Sequence, residues 1–255
     1  MLLVIDIGNT NIVLGVYENE RLIRSWRVRT ERQATEDEFH ILINNLFMSG
    51  NIDLKNVKET IVSCVVPPMV GVLNSFCTKY LDHTPIWVNA KNVSMPIRLK
   101  NPDEVGADRL VNAVAAYNKY GGNLIIIDFG TATTFDCISQ KGEYLGGAIS
   151  PGIMIASEAL FMNASKLPRV DIYKAPENII GKDTAESIQS GIIYGYAGLV
   201  DGIVKRISTE MGGKPSIIAT GGLAPLMADI SEYIEHVESD LTLEGLLLIA
   251  HNRNS

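Results

Sequence analysis

The sequence has little of what would place it outside the cell or in a membrane. Its three cysteines, Cys64, Cys77 and Cys137, are scattered and form no CxxC pair. An odd, dispersed set makes neither a disulfide framework nor a zinc site, and it suits a reducing compartment. No stretch approaches the roughly 20 apolar residues that span a bilayer. The opening "MLLVIDIGNTN" lacks a basic lead-in and is interrupted by Asp6, so it is not read as a signal peptide. Lysine and arginine number 22 against 29 acidic residues, a net charge of −7 with no basic block. That removes the electrostatic footprint of a nucleic-acid binder. The histidines at 40, 83, 236 and 251 have no metal-ligand spacing. No GxGxxG fingerprint occurs. "NIIGKDT" (178–184) lacks the first glycine of a Walker loop and carries Asp183 where Ser or Thr is needed. The expectation is a cytoplasmic protein with no nucleic-acid or membrane partner.

What the chain does have is a repeat. "LLVIDIGNTNIVLGVYENERLIRSWRV" (2–28) and "NLIIIDFGTATTFDCISQKGEYLGGAI" (123–149) align at an offset of 122, which puts Asp6 on Asp128 and Gly8 on Gly130. Each copy reads as strand, tight glycine turn, strand, hairpin, strand. Helical signals follow both. Thr35 with Glu38 makes a capping box. Segments 67–81, 103–122, 184–213 and 241–251 carry apolar residues at helical spacing, and "PGIMIASEALF" (151–161) also reads as helix. "PSIIATGG" (215–222) reads as a buried strand ending in Gly221 and Gly222. The fold class expected is α/β, with two duplicated domains at 1–119 and 120–255.

A buried strand has no use for a terminal aspartate unless something meets it there. The two Asp-Gly turns expose backbone N–H groups and short polar side chains, from Asn9, Thr10 and Asn11 in one copy and Thr131, Thr133 and Thr134 in the other. Such turns can cradle phosphate oxygens. A carboxylate beside phosphate implies a cation between them. The glycine pair Gly221–Gly222 allows close approach of a flat group such as a base or ribose.

With "SCVVPP" (63–68), "NPDEVGADRLVNAVAA" (101–116) and "GGAISPG" (146–152) added, the chain resembles the type III pantothenate kinases of the actin-like ATPase and sugar-kinase superfamily. The resemblance spans essentially the whole chain. It implies two actin-like (ribonuclease H-like) domains with a nucleotide cleft between them. It also implies ATP-dependent phosphorylation of pantothenate, a divalent cation such as Mg2+, a monovalent K+ or NH4+, and a homodimer.

The residue roles it implies are specific. Asp6, Ile7, Gly8, Asn9, Thr10, Asn11, Ile12 and Val13 form the first phosphate loop, with Asp6 on the divalent metal. Gly106, Ala107, Asp108 and Arg109 bind pantothenate, with Asp108 as proton acceptor. Asp128 holds the monovalent cation, Thr131 meets ATP phosphate, and Thr184 meets pantothenate. The family often has a tyrosine where this chain has Leu99. Helix capping is the alternative for Asp108 and Thr184, and a salt bridge for Arg109. The apolar face of 192–204 is either a subunit interface or a core helix. Another small-molecule kinase of the superfamily, or a nucleotide-binding accessory protein without turnover, remains the competing reading.

Overall fold

The computed structural model describes residues 1–253. They form two compact units. One comprises residues 1–95, 100–115 and the segment from 241 onward; the other comprises 96–99 and 116–240. Neither is a continuous stretch: relative to a single cut at 119/120, residues 96–99, 116–119 and the segment from 241 onward lie on the other side.

In the first unit, β1 (Leu2–Ile7), β2 (Asn11–Glu18) and β3 (Arg21–Arg29) form an antiparallel meander. The chain then enters α1 (Glu36–Ser49) through the Thr35–Glu38 capping box, with both reciprocal hydrogen bonds present. β4 (Glu59–Cys64) returns parallel to β1, α2 (Pro67–Tyr80) follows, and β5 (Ile86–Trp87) adds a second parallel strand. The order is β3-β2-β1-β4-β5. One sheet face buries Leu3, Ile5, Ile7, Ile12 and Leu14 against Phe39, Ile43 and Phe47 of α1 and Met69, Leu73 and Phe76 of α2.

After α3 (Ala107–Tyr120), the second unit repeats the plan. β6 (Leu124–Phe129), β7 (Ala132–Ile138) and β8 (Tyr144–Pro151) form the meander, and α4 (Ile153–Asn163) and α5 (Thr184–Met211) follow. β9 (Ser216–Gly221) runs parallel to β6. α6 (Ala224–Ala228) and β10 (His236–Val237) complete the order β10-β9-β6-β7-β8. Strand for strand, this is the first sheet again. The apolar face of α5 through Ile192, Ile193, Ala197, Val200 and Val204 is buried in this unit's own core, which decides for the core reading of 192–204. α7 (Leu241–Asn252) packs on the first unit's sheet, with Gly245 against the Val111 carbonyl of α3.

The copies differ at the turn. Ile7 pairs with Ile12, enclosing four residues, whereas Phe129 pairs with Thr133, enclosing three. The offset of 122 therefore holds up to the glycine, and β7 then slips by one residue. Asp136 consequently occupies the place of Gly15, not of Leu14. Asp136 is fully buried and accepts hydrogen bonds from Tyr144 Oη at 2.5 Å and Thr134 Oγ1 at 3.2 Å.

Backbone packing at the hairpin gives a stability test. A Cβ on Gly147 would lie 1.6 Å from the Phe135 carbonyl oxygen. Gly147→Ala is expected to cost about 3 kcal/mol or more through backbone displacement. Gly71→Ala, in α2 with nothing near the new methyl, is expected to stabilise by up to about 1 kcal/mol. Urea unfolding of the two variants measures both.

Candidate active site

In the first unit the site grows from the C-terminal end of β1. Asp6 is the last polar residue before the turn, half-buried, and level with Ser63 of β4 across the parallel ladder. Ile7 and Ile12 are core residues, so their part in the loop is to anchor its two feet. Gly8 N–H donates to the Asn11 carbonyl at 3.0 Å and closes the turn. Asn9 and Thr10 are exposed at its tip, and Val13 lies opposite Asp6 on β2.

The "GADR" segment lies at the start of α3. Gly106 has no room for a side chain, because a Cβ there would lie 2.5 Å from Asp108 Oδ1 and 3.5 Å from Val65 Cγ1. This glycine lets the Asp108 carboxylate fold back over the helix start. There it accepts the Arg109 N–H at 2.8 Å. Asp108 thus does serve the helix end, as the capping alternative held. Burial pushes its carboxyl above the ordinary carboxylate range, opposed by the Arg109 N–H and guanidinium. A helix-start position alone suggests an easily ionised, weak base; burial makes this one more basic.

Cys64, at the end of β4, ties these groups together. Burial pushes its thiol up, the Val66 N–H opposes, and the negative charges of Asp6 and Asp108 add to the rise. The first unit therefore gathers Asp6, Cys64 and Asp108 in one electrostatic neighbourhood. The sequence carried a signal for Cys64, since it lies inside "SCVVPP", but no chemistry marked it as a neighbour of both acids.

In the second unit the corresponding place is held by backbone. Gly130 N–H donates to the Ala132 carbonyl at 3.1 Å, closing the shorter turn that carries Thr131. Gly221 ends β9 at φ +91°, where a Cβ would lie 2.6 Å from Asp128 Oδ1 and 2.7 Å from the Phe129 carbonyl. Gly221 is thus needed to make room beside the Asp128 carboxylate. Gly222 follows with open space around it. Thr133 is buried on the core face, not in the exposed turn.

Thr184 is the first residue of α5, but the cap is Asp183, whose carboxylate accepts the Glu186 N–H at 2.8 Å. The capping alternative for Thr184 thus passes to its neighbour. Thr184 instead lines a cavity of about 710 Å3 with Leu160, Leu167, Lys182, Ser187 and Ile188. Leu99 packs over Gly146, where a Cβ would lie 2.9 Å from Leu99 Cδ2. Its segment is pinned to β8 by Arg98 N–H on the Tyr144 carbonyl at 2.8 Å. Among the described residues no cluster of three or more His, Cys, Asp or Glu could hold a metal alone, and no helix is long and apolar enough to cross a membrane.

Two units of the same topology, each with an aspartate one residue before the end of its central strand and a glycine turn after it, define an actin-like fold. A ROK hexokinase from Thermus thermophilus shares it, at TM-score 0.52 and 12% identity over 100% of this chain and 99% of that one. A Baf-family protein from Campylobacter jejuni also shares it, at TM-score 0.65 and 19% identity over 99% and 100%. At the sequence level the likeness is narrower. The type III pantothenate kinase family model matches residues 2–206. The type III pantothenate kinase of Desulfatibacillum aliphaticivorans is 65% identical over 250 residues, covering 98% of this chain and 97% of that one. The chain belongs to the type III pantothenate kinase family.

The charge neighbourhood can be tested without turnover. Asp6→Asn and Asp108→Asn each remove a negative charge that holds the Cys64 thiol protonated. Each is expected to speed iodoacetamide alkylation of Cys64 at pH 8, read by peptide mass spectrometry. Unchanged rates in both variants would contradict the arrangement.

Proposed function

We propose that this protein transfers the γ-phosphoryl group of ATP to the primary hydroxyl of pantothenate in the cytoplasm. The product is 4'-phosphopantothenate, and the reaction is the first step toward coenzyme A. The observation that carries the reading is the Asp108–Arg109 pair at the start of α3, in the same unit and charge neighbourhood as Asp6. Pantothenate offers one reactive hydroxyl and one carboxylate. Asp108 accepts the hydroxyl proton, and its raised basicity brings it nearer the working pH of a general base. Arg109 pairs with the carboxylate, a geometry for which guanidinium is suited.

Phosphoryl transfer asks a protein mainly for positioning and charge neutralisation. Residues Asp6 to Val13 supply loop N–H groups to phosphate oxygens. In the second unit Thr131 offers a hydroxyl to phosphate, and Gly221 and Gly222 leave room for a flat group such as a base or ribose. The donor set fits a divalent cation such as Mg2+. Asp6 and the buried Ser63 hydroxyl, which has no hydrogen-bond partner among the described residues, are hard oxygens in register on adjacent strands. Mg2+ keeps water and phosphate for its other positions, so few protein ligands suffice. Asp128, with the cradle that Gly221 leaves open, fits K+ or NH4+. When bound, these cations neutralise charge on the transferring phosphates.

A homodimer is part of the proposal. The second unit exposes Ile149 (65%), Met162 (73%), Ile179 (68%) and Ile180 (70%). Large apolar side chains at this exposure on one unit fit an intersubunit surface. Ile179→Lys with Ile180→Lys is expected to convert a dimer to a monomer, measured by light scattering on a sizing column.

Turnover tests the function. ADP release with Mg2+ and K+ is expected to depend on pantothenate and to fall by about 10²–10⁴ in Asp108→Asn. ADP release indifferent to pantothenate would reopen the substrate. The base must be deprotonated to act, so kcat/KM is lost as pH falls through the folded Asp108 pKa. That pKa is raised, so the acid limb is expected above the ordinary carboxylate range of about 4. Asp128→Ala is expected to abolish activation by K+.

A further inference from the structure

Thr30, the residue after β3, is a buried polar side chain outside every role assigned above. Its hydroxyl donates to the Gly8 carbonyl at 2.6 Å, and its N–H donates to the Thr10 carbonyl at 3.0 Å. Two residues on, Arg32 Nη2 donates to Asn9 Oδ1 at 2.9 Å. One short segment therefore holds three consecutive loop residues.

A trans peptide unit points its C=O and the following N–H in opposite directions. Tying the Gly8 carbonyl to Thr30 turns the Asn9 N–H away from Thr30. Tying the Thr10 carbonyl does the same for the Asn11 N–H. Gly8 is the residue about which the first of these peptides could most readily swing, since glycine resists rotation least. The hydroxyl removes that freedom before any ligand arrives.

The second copy supports this assignment. By strand register its residue equivalent to Thr30 is Gly152, because Asn11 pairs with Arg29 as Ala132 pairs with Pro151. Gly152 N–H keeps the backbone bond, donating to the Thr131 carbonyl at 3.2 Å. It has no hydroxyl, and a Cβ there would lie 2.2 Å from that same oxygen. The shorter turn is pressed against backbone; the longer one is held by a side chain.

We infer that Thr30 is a positioning residue for nucleotide, orienting the Asn9 and Asn11 N–H groups toward phosphate through the Gly8 and Thr10 carbonyls. This rests on the reading of residues 6–13 as a phosphate loop, and it is independent of which alcohol accepts the phosphoryl group.

The test is MgATP affinity of the full-length protein by calorimetry, without pantothenate, for wild type, Thr30→Val and Thr30→Ser. Losing an aimed hydrogen bond to a charged group is expected to weaken ATP about tenfold in Thr30→Val. Thr30→Ser, which keeps the hydroxyl, is expected within about twofold of wild type. In turnover, the KM for ATP rises and the KM for pantothenate does not. Amide exchange speeds up in residues 8–11 of Thr30→Val but not in β1. Thr30→Val binding ATP like wild type, or Thr30→Ser failing as badly as Thr30→Val, overturns the inference.

If Thr30→Val does not fold, the surface variant Arg32→Ala decides. It is expected to weaken ATP in the wild-type background and to do nothing further in Asn9→Ala, because it acts through Asn9. Equal losses in both backgrounds overturn the inference. Wild type that binds ATP without pantothenate-dependent turnover defeats only the substrate reading. Wild type that binds no ATP defeats the phosphate loop and the inference together.

Discussion

The structure depends on one constraint in each sheet, that the central strand has nowhere to put a polar group except its end. β1 lies between antiparallel β2 and parallel β4, and β6 lies between β7 and β9. Their ladder groups are paired on both sides, and residues such as Leu3, Ile5, Ile125 and Ile127 are fully buried. A carboxylate within such a strand would carry an unrecovered desolvation cost. At the C-terminal end the neighbouring strands give way to turns, and Asp6 and Asp128 both stand there. The glycines follow from that placement. Gly8 and Gly130 close the turns, and Gly221 clears the backbone from Asp128 Oδ1.

The same constraint shapes the electrostatics. In the first unit the charges of Asp6 and Asp108 both raise the cost of ionising the Cys64 thiol. Burial holds Asp108 above its ordinary range while Arg109 pulls the other way. The balance suits a group that takes a proton during reaction better than one that only caps a helix. The raised Cys64 thiol stays protonated beside them, so it adds bulk there without adding negative charge.

Much of this was legible in the sequence. The repeated strand–Asp–Gly pattern marked both central strands, and hydrophobic period with capping signals marked the helices. α5 begins at Thr184 as read, and Thr35 with Glu38 forms the capping box of α1. What was not legible were contacts distant in sequence. Nothing local says that 241–252 packs on the first sheet; that depends on Gly15 and Gly245 allowing α7 close to β2 and α3. Nor does a one-dimensional alignment reveal a missing turn residue, because Thr131, Thr133 and Thr134 all look alike until strand pairing sets Thr133 inward. The capping role of Asp183 over Thr184 was equally hidden, since either side chain can accept the N–H and only backbone geometry chooses.

The two copies have diverged along that missing residue. A four-residue turn leaves exposed polar side chains and loose peptide units, and it requires an outside group to hold its carbonyls. A three-residue turn leaves less to hold, and glycine at 152 lets backbone meet backbone directly. Deleting one residue also brings Asp136 into the position of Gly15, on a strand where alternation puts it inside the protein. A buried carboxylate survives there because Tyr144 and Thr134 donate to it. Gly15 in the first copy faces Leu243 of α7, and a Cβ there would already lie 2.9 Å from Val4 Cγ2. An aspartate at position 15 and a glycine at 136 would therefore both fail, the first for lack of space and the second by removing the carboxylate that Tyr144 and Thr134 donate to. The slip in register and the residues around it form one coupled change, and neither copy can adopt the other's turn by a single substitution.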